Sequence, residues 1–285
     1  MKPYRKYVFK TDDETIRALL IEGLDTFEGF EESDDELAAY VVQDEEGESL
    51  EKARRFLSSF GFELPAYECE TIAWQNWNAT WEAQYEPTAV DDYVLCYPTH
   101  RRGQAQEYAA RFRYLLEIEP RMAFGTGRHE TTRLCLRALK RLEDEIGLSG
   151  KRVLDVGCGT GILGLTALRA GANVGFVDCD PIAVEDTFVN IRINGMANRN
   201  FDLRLGTARS FLPQNFDVLL VNLTRNAVIA EKDVYYALLA PGGTLVASGF
   251  LAADAPTVCE ALANFELVSR LKENEWSCLI FSRRS

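Results

Sequence analysis

The chain has few of the features that mark membrane, secreted or metal-binding proteins. Its 285 residues contain no apolar run near the length of about 18 residues that a membrane-spanning helix needs. The N-terminal segment, MKPYRKYVFKTDDET, lacks the apolar core of an export signal. The 7 cysteines include no Cys-x-x-Cys pair, which argues against a zinc site and a disulfide framework. We therefore expect a cytoplasmic protein with no metal site and no membrane partner.

Positive charge is also scarce. The chain has 31 Lys and Arg against 44 Asp and Glu, a net charge of -13, which disfavours a nucleic-acid backbone as a direct partner. Residues 1–60 contain sixteen of the acidic and eight of the basic side chains, a net charge of −8. Such a domain could attract a basic protein. From charge alone, simple solubility is the better explanation.

The first 73 residues are predicted to form a small α+β domain. Alternating and helically spaced apolar residues predict strands over 4–10, 26–31, 37–43 and 67–73, and helices over 14–21 and 50–60. The order β-α-β-β-α-β is typical of a ferredoxin-like domain. We predict a linker with connecting strands over 74–119, with strands at 93–97 and 112–118 joined by a polar stretch at 99–107.

Three of the 4 tryptophans fall in one short segment, at Trp74, Trp77 and Trp81. Trp77 and Trp81 are one helical turn apart and would share a face. They could anchor the small domain against the large one, or form an aromatic wall beside a substrate. We favour the anchor, because amphipathic aromatic side chains commonly serve in packing.

The most informative stretch covers residues 151–181, KRVLDVGCGTGILGLTALRAGANVGFVDCDP. The apolar run at 153–156 predicts a strand buried on both faces. Glycines at 157, 159 and 161 follow, and such a turn lets a ligand approach the backbone closely. A helix over 162–170 and a strand over 174–177 lead to Asp178. A carboxylate about 20 residues beyond the turn suits the hydroxyls of a ribose.

The spacing of the glycines distinguishes between nucleotides. The dinucleotide fingerprint needs glycine at its first, third and sixth positions. Counted from Gly157, the sixth position is Ile162, and the third glycine stands one residue early at Gly161. NAD is therefore disfavoured. A tight turn without any ligand is the other alternative, and the spacing of turn, second strand and acidic strand end argues against it.

A second informative stretch, PRMAFGTGRHETTRLCLRAL, begins at residue 120. We predict a glycine-containing loop and then a helix over 130–142. Thr131 and Thr132 lie at its start, where free N–H groups and hydroxyls suit a carboxylate. Ordinary capping by threonine is the alternative. We expect His129 to be a hydrogen-bonding loop residue and not a catalytic base.

These motifs resemble those of a known family. DVGCGTG followed by VDCDP resembles the S-adenosylmethionine-binding core of class I methyltransferases. FGTGxHxTT before it, the tryptophan segment, Asn-Leu at 222–223, LxPGG and SGFL are similar to the ribosomal protein L11 methyltransferases (PrmA). The resemblance extends over essentially the whole chain and is strongest over residues 118–285.

The resemblance implies an α/β fold of the class I methyltransferase (Rossmann-like) type. We expect a seven-stranded sheet with a closing antiparallel hairpin, after the ferredoxin-like domain. The implied domains are 1–73 for substrate recognition, 74–119 as linker, and 120–285 for methyl transfer. The remaining elements are expected as helices over 182–194, 227–239 and 255–264, and strands over 201–205, 216–221, 244–248, 267–271 and 277–281.

The resemblance also implies a site for S-adenosyl-L-methionine. Thr132, Gly157, Asp178 and Asn222 are expected to contact it. Asp178 would bind the ribose hydroxyls, and Gly157 the methionine part through its backbone. Asn222 would line the end where the methyl group is transferred, and is the residue assigned to catalysis.

Further residues complete the expected site. Phe124 is expected to cover the cofactor, and Asp155 to fix the turn or receive the cofactor's ammonium group. Thr131 and Gly159 belong to the same set. Thr207 stands where many methyltransferases place an acidic residue near the adenine. After Asn222 the chain reads Leu-Thr-Arg where the family usually has Ile-Leu-Ala, so details of the acceptor are open.

The activity implied is methyl transfer to lysine side-chain and N-terminal amines of ribosomal protein L11 by a monomeric enzyme. The sequence shows no clear general base. Two alternatives remain: a methyltransferase for another protein lysine or a small-molecule amine, and a non-catalytic cofactor-binding assembly protein. The intact turn, Asp178 and Asn222 argue against the non-catalytic alternative.

Overall fold

The computed structural model describes residues 4–23, 29–33, 35–42, 46–72, 86–107, 109–119 and 127–284. Contacts divide the chain into two units, Met1–Trp77 and Asn78–Ser285. The tryptophan segment and Phe124 lie outside the described residues, so the predictions made for them stay predictions. Within the described ranges, none of the helices combines the length and apolar composition needed to cross a membrane.

The first unit is a four-stranded antiparallel sheet with two helices. Its strands are in the order β2-β3-β1-β4, and every neighbouring pair is antiparallel. Alternate residues of β1 and β3, with Leu20 and Leu57 of the helices, form its core. The elements are β1 (Tyr4–Lys10), α1 (Glu14–Gly23), β2 (Gly29–Glu32), β3 (Glu36–Val42), α2 (Glu46–Ser59) and β4 (Tyr67–Ile72).

The second unit begins with a small three-stranded sheet. In it β5 (Thr88–Val90) is antiparallel to β6 (Val94–Pro98), which is parallel to β7 (Tyr114–Ile118). The polar stretch expected at 99–107 contains instead a short helix, α3 (Arg102–Glu107). Its sequence, RGQAQE, has no apolar stripe, so hydrophobic periodicity could not predict this helix. The three-residue strand β5 was likewise not predicted from the sequence.

The main sheet has seven strands in the order β10-β9-β8-β11-β12-β14-β13. The first five are parallel, whereas β14 is antiparallel to both β12 and β13. The sheet is therefore mixed, with a terminal hairpin at one side. The strands are β8 (Arg152–Val156), β9 (Asn173–Asp178), β10 (Phe201–Leu205), β11 (Phe216–Asn222), β12 (Leu239–Leu251), β13 (Phe265–Glu273) and β14 (Trp276–Arg283).

Helices cover both faces of this sheet. Val218 and Leu220 belong to one apolar cluster, with residues of α4, α5 and α6, whereas Leu219 and Val221 belong to a second, with residues of α7, α8 and α9. This alternation is the strand period of two in a sheet buried on both sides. The helices are α4 (Glu130–Ile146), α5 (Ile162–Arg169), α6 (Pro181–Ile193), α7 (Arg225–Ala230), α8 (Lys232–Leu238) and α9 (Ala255–Ala261).

Two further elements, both in the main sheet and its helices, differ from the sequence-based expectation. The single helix expected over 227–239 is two helices, because Glu231 has φ −103° and ψ 10° and interrupts the helical torsions. The strand expected over 244–248 is longer, since Leu239 already pairs with Phe216 before a register shift. The expected α/β class, with helices around a largely parallel sheet, is confirmed.

Candidate functional site

A cavity of about 660 Å³ opens at the carboxyl ends of the parallel strands. β8 lies between β9 and β11, so the chain leaves the centre of the sheet in opposite directions on either side of β8. Such a switch point leaves a crevice where α/β proteins bind ligands. The lining includes residues from the ends of four strands, namely Val156, Gly157, Val177, Asp178, Gly206, Thr207, Asn222 and Leu223.

The glycine turn after β8 forms one wall of the cavity. Gly157, Gly159 and Gly161 have φ of 67°, 55° and 80°, a region that favours glycine. A Cβ on Gly157 would lie 2.4 Å from Cδ2 of Leu223. The Gly157 N–H donates to the carbonyl oxygen of Val177 at 2.8 Å. The carbonyl oxygen is therefore the part of the Gly157 backbone that can accept a hydrogen bond from a ligand.

Asp155 lies beneath this turn. It is 1% exposed, and its Oδ2 accepts a hydrogen bond from the N–H of Gly164 in α5 at 2.8 Å. Burial raises its pKa to about 7; the Gly164 bond opposes this rise and the charge of Asp178 adds to it. This placement favours the first of its two expected roles, holding the turn to the helix.

Asp178 ends β9 and lines the cavity. Its Oδ2 accepts from the N–H of Gly159, and its Oδ1 from the N–H of Asp180, both at 3.0 Å. Each carboxylate oxygen can accept a second hydrogen bond. The side chain is thus fixed by the backbone and still has acceptor capacity for a pair of hydroxyl groups.

Asn222 ends β11 and also lines the cavity. Its Nδ2 is 3.4 Å from Oγ1 of Thr132, a hydroxyl group in the first turn of α4. Its Oδ1 is buried and has no hydrogen-bond partner among the described residues. A buried acceptor left unpaired is unfavourable, so this atom is suited to a donor that a ligand brings.

The start of α4 forms another part of the lining. His129 is the N-cap: its Nδ1 accepts from the N–H of Thr131 at 3.2 Å and lies 2.8 Å from that residue's Oγ1. The imidazole also packs edge-on against Trp276, with ring centroids 4.6 Å apart. His129 and Thr131 line the cavity, whereas Thr132 is 1% exposed beside Asn222. The expectation of a hydrogen-bonding role for His129 is confirmed.

The comparisons with known proteins agree with this geometry. The family model for ribosomal protein L11 methyltransferase (PrmA) matches residues 10–284. The chain belongs to the PrmA family. A PrmA relative from Geobacter sp. (strain M21) is 35% identical over 248 residues, 83% of this chain and 79% of the relative. Another from Phocaeicola vulgatus is 33% identical over 263 residues, 90% of this chain and 89% of the relative.

A solved structure shows the PrmA fold. The ribosomal protein L11 methylase from Lactobacillus delbrueckii subsp. bulgaricus superposes with a TM-score of 0.62 at 22% identity. The match covers 70% of this chain and 100% of that chain. The second unit therefore has the α/β methyltransferase fold, with helices around a mixed sheet.

As a member of the PrmA family, the protein is a methyltransferase whose cofactor is S-adenosylmethionine. The cavity fits this cofactor chemically. It offers the carboxylate of Asp178 for hydroxyl groups and the carbonyl of Gly157 for an ammonium group. A volume of about 660 Å³ lies in the range usual for cofactor sites.

Several lining residues were not predicted from the sequence. Glu231 and Tyr235 lie at and after the break between α7 and α8, and Trp276 begins β14. Tyr235 fits the apolar pattern of its helix and gave no sign of a second role. No signal for the break at Glu231 was available, because the residues on both sides, among them Val228 and Val234, belong to the same apolar cluster.

Proposed function

We propose that this protein transfers methyl groups from S-adenosylmethionine to lysine side-chain and N-terminal amines of ribosomal protein L11. The observation that carries the proposal is the buried Oδ1 of Asn222, which lies in the cavity at the end of β11 and has no partner in the part of the chain that the structure describes. Family membership supports the ribosomal protein as acceptor, since the relatives are named ribosomal protein L11 methyltransferase.

The chain's own residues hold the cofactor in this proposal. Asp178 accepts hydrogen bonds from the two ribose hydroxyls, and the backbone of Gly157 binds the ammonium group of the methionine part. Thr131 lies at the cavity, but its hydroxyl donates to Nδ1 of His129 at 2.8 Å, so we assign it to the cap of α4 and not to the cofactor's carboxylate. Asp155 and Gly159 act indirectly, the first through α5 and the second by fixing Asp178.

Bound S-adenosylmethionine supplies a methyl group on a positively charged sulfur, which becomes a neutral thioether when an amine takes the methyl group. Asn222 orients that amine. Its Oδ1 accepts one N–H of the incoming nitrogen, which directs the lone pair towards the methyl carbon. Thr132 keeps the Asn222 amide in place from the other side.

A lysine must lose a proton before it can react. At pH 7 this costs roughly 4–5 kcal/mol from a reference pKa near 10.4. The apolar walls of the cavity, among them Val156, Val177 and Leu223, lower the pKa of a desolvated ammonium group. Nδ1 of His129 already serves the cap of α4, so we assign no side chain as general base.

The first unit is proposed to be a ferredoxin-like domain that recognises the protein substrate. Its β-α-β-β-α-β order and the strand order β2-β3-β1-β4 support the fold, and the net charge of −8 over residues 1–60 supports attraction of a basic partner. We further propose that the enzyme acts as a cytoplasmic monomer, with neither nucleic acid nor membrane as a direct partner.

A labelled-methyl assay tests the function. Purified protein is incubated with methyl-labelled S-adenosylmethionine and recombinant ribosomal protein L11, and the Asp178→Ala variant serves as control. We expect label in the ribosomal protein and a loss of at least roughly 100-fold in the variant, because hydrogen bonds to a charged group are strong and two are removed. Cofactor binding without label transfer would disprove the proposed acceptor and direct the search to other amines.

A further inference from the structure

The cavity contains two polar side chains that the proposed function does not use. Glu231 and Tyr235 both line it. Oε2 of Glu231 and the hydroxyl oxygen of Tyr235 are shielded from solvent, and neither has a hydrogen-bond partner among the described residues. A carboxylate and a phenol left unpaired at one cavity are unfavourable, which points to a ligand that pairs with them.

The two side chains are held on one face of the same helix. Glu231 immediately precedes α8, and the N–H of Tyr235 donates to its carbonyl oxygen at 3.0 Å. Residues four apart on a helix are neighbours on its surface. Tyr235 is 0% exposed, so its ring cannot turn away into solvent. The pair is therefore a fixed acceptor beside a fixed donor.

An ion pair joins Glu231 to the segment after β10. Its Oε1 lies 3.3 Å from Nε of Arg209, which leaves Oε2 for another donor. Thr207 and Ala208, directly before this arginine, also line the cavity. The carboxylate of Glu231 thus pairs with the segment that also supplies Thr207, which is not an acidic residue, to the cavity lining.

Tyr235 remains protonated at neutral pH. Burial first, and the charge of Glu231 second, raise the pKa of Tyr235 above its usual value, so the phenol remains a donor. Glu231 is paired with the arginine as a carboxylate, which only accepts. The two residues thus bring one acceptor and one donor to the lining of the same cavity.

We propose that Glu231 and Tyr235 select the adenine base of S-adenosylmethionine, with Glu231 accepting from the exocyclic 6-amino group and Tyr235 donating to the adjacent ring nitrogen N1. The inference rests on the proposed cofactor site. Adenine presents a donor next to an acceptor on this edge, which complements the pair. Hypoxanthine presents a 6-oxo acceptor next to an N1–H donor, so Glu231 would face another acceptor, and the O–H of Tyr235 would lose its acceptor although the phenol oxygen could still accept. Glu231 and Tyr235 thus act as specificity-determining residues.

The test compares two ligands that differ only in the base. S-adenosylhomocysteine and S-inosylhomocysteine are titrated calorimetrically into wild type, Glu231→Ala, Tyr235→Phe and, as a matched control, Glu260→Ala, whose glutamate is exposed on α9. Wild type and control are expected to prefer the adenosyl ligand by at least roughly 30-fold, since unpaired buried groups penalise the wrong ligand. The preference should fall to within about threefold in Glu231→Ala and about fivefold in Tyr235→Phe.

The outcomes separate this inference from the function on which it depends. Failure of wild type to bind S-adenosylhomocysteine would overturn the proposed cofactor site itself. Tight binding of both ligands by wild type would leave that site intact and overturn the selection of adenine. A preference unchanged in Glu231→Ala would also overturn it. If Glu231→Ala does not unfold cooperatively on heating, it is not correctly folded. The ligand preferences of wild type and of Tyr235→Phe then test the selection of adenine.

Discussion

Asp155 shows how one buried residue can support a ligand site without touching the ligand. The side chain is 1% exposed, and its bond to the N–H of Gly164 joins β8 to α5 across the glycine turn. Burial raises its pKa from 3.8 to about 7, against the effect of that bond. The folded protein therefore holds a proton on Asp155 at pH values where the unfolded chain has released it.

This proton predicts a pH-dependent stability that Asp155→Asn should remove. Between about pH 4 and pH 7 the folded state binds the extra proton, so the free energy of unfolding decreases as pH rises and levels off above pH 7. The whole decrease is roughly 4 kcal/mol, and roughly 3 kcal/mol of it falls above pH 5. Urea denaturation of both proteins from pH 5 to pH 8 measures it. Asparagine keeps an oxygen for Gly164, and parallel pH profiles of the two proteins would contradict the prediction.

At the residue scale, local sequence motifs predicted several residues of the candidate site. Gly157 and Asp178 were predicted from the turn and the acidic strand end, and the structure brings them together with Thr131 and Asn222 at one cavity. Glu231 was not predicted. It lies more than 50 residues beyond Asp178 in the chain, and only the packing of α8 beside the segment after β10 places it there.

At the scale of elements, the glycine turn depends on backbone torsions and on space. Gly157 and Gly195 have nearly the same φ, 67° and 68°. A Cβ on Gly157 would lie 2.4 Å from Leu223 Cδ2, whereas one on Gly195 would have nothing within 4 Å. Alanine substitutions at the two positions therefore distinguish the free-energy cost of a positive φ from the cost of the contact with Leu223.

We predict that Gly157→Ala weakens cofactor binding and that the matched variant Gly195→Ala does not. Both should lose roughly 1–2 kcal/mol of stability, because alanine resists a positive φ. Only Gly157→Ala displaces Leu223 into the cavity, so its affinity for S-adenosylhomocysteine should fall roughly tenfold or more, as overpacking costs about 1–3 kcal/mol. Calorimetric titration and urea denaturation measure both quantities. Equal affinities in the two variants would show that the contact with Leu223 is unimportant.

Most elements were predictable because their apolar spacing matches their own period. Strand β10 has the bounds expected for it, and β1 does as well. The helix α3 was not predicted because it is polar throughout and too short to show a stripe. The break between α7 and α8 was not predicted because residues on both sides pack on the same sheet face, among them Val228 and Val234.

At the scale of the whole molecule, charge is distributed unevenly between the units. Residues 1–60 have a net charge of −8 within a chain of net charge -13. Complementary charge accelerates encounter and favours the matching partner, and salt screens it. If the first unit recognises a basic protein substrate, removing exposed acidic side chains there should weaken the binding of the substrate more than the binding of the cofactor.

A triple variant tests this idea: Asp12→Asn with Glu14→Gln and Asp35→Asn, all exposed in the first unit. We expect the KM for ribosomal protein L11 to rise several-fold at low salt, while cofactor affinity is unchanged. The difference should vanish near about 0.5 M salt, where the Debye length is only a few ångströms. Steady-state kinetics at both salt concentrations measures it.

The matched control removes three exposed acids of the second unit, Glu145→Gln with Glu260→Gln and Glu266→Gln. Its net charge changes by the same amount, so an equal rise in KM would show an effect of total charge. An unchanged KM in the first-unit variant would show that its acids do not steer the substrate.

The sequence by itself determined the nucleotide-binding βαβ unit, the acidic residue at its second strand, the threonines of α4 and the order of the elements. These are local patterns, and each depends on residues close together in the chain. Only the tertiary structure decided which side chains share the cavity. The oxygens of Asn222, Glu231 and Tyr235 that have no partner within the described ranges could not be identified from the sequence, because an unpaired polar atom is defined by what packs around it.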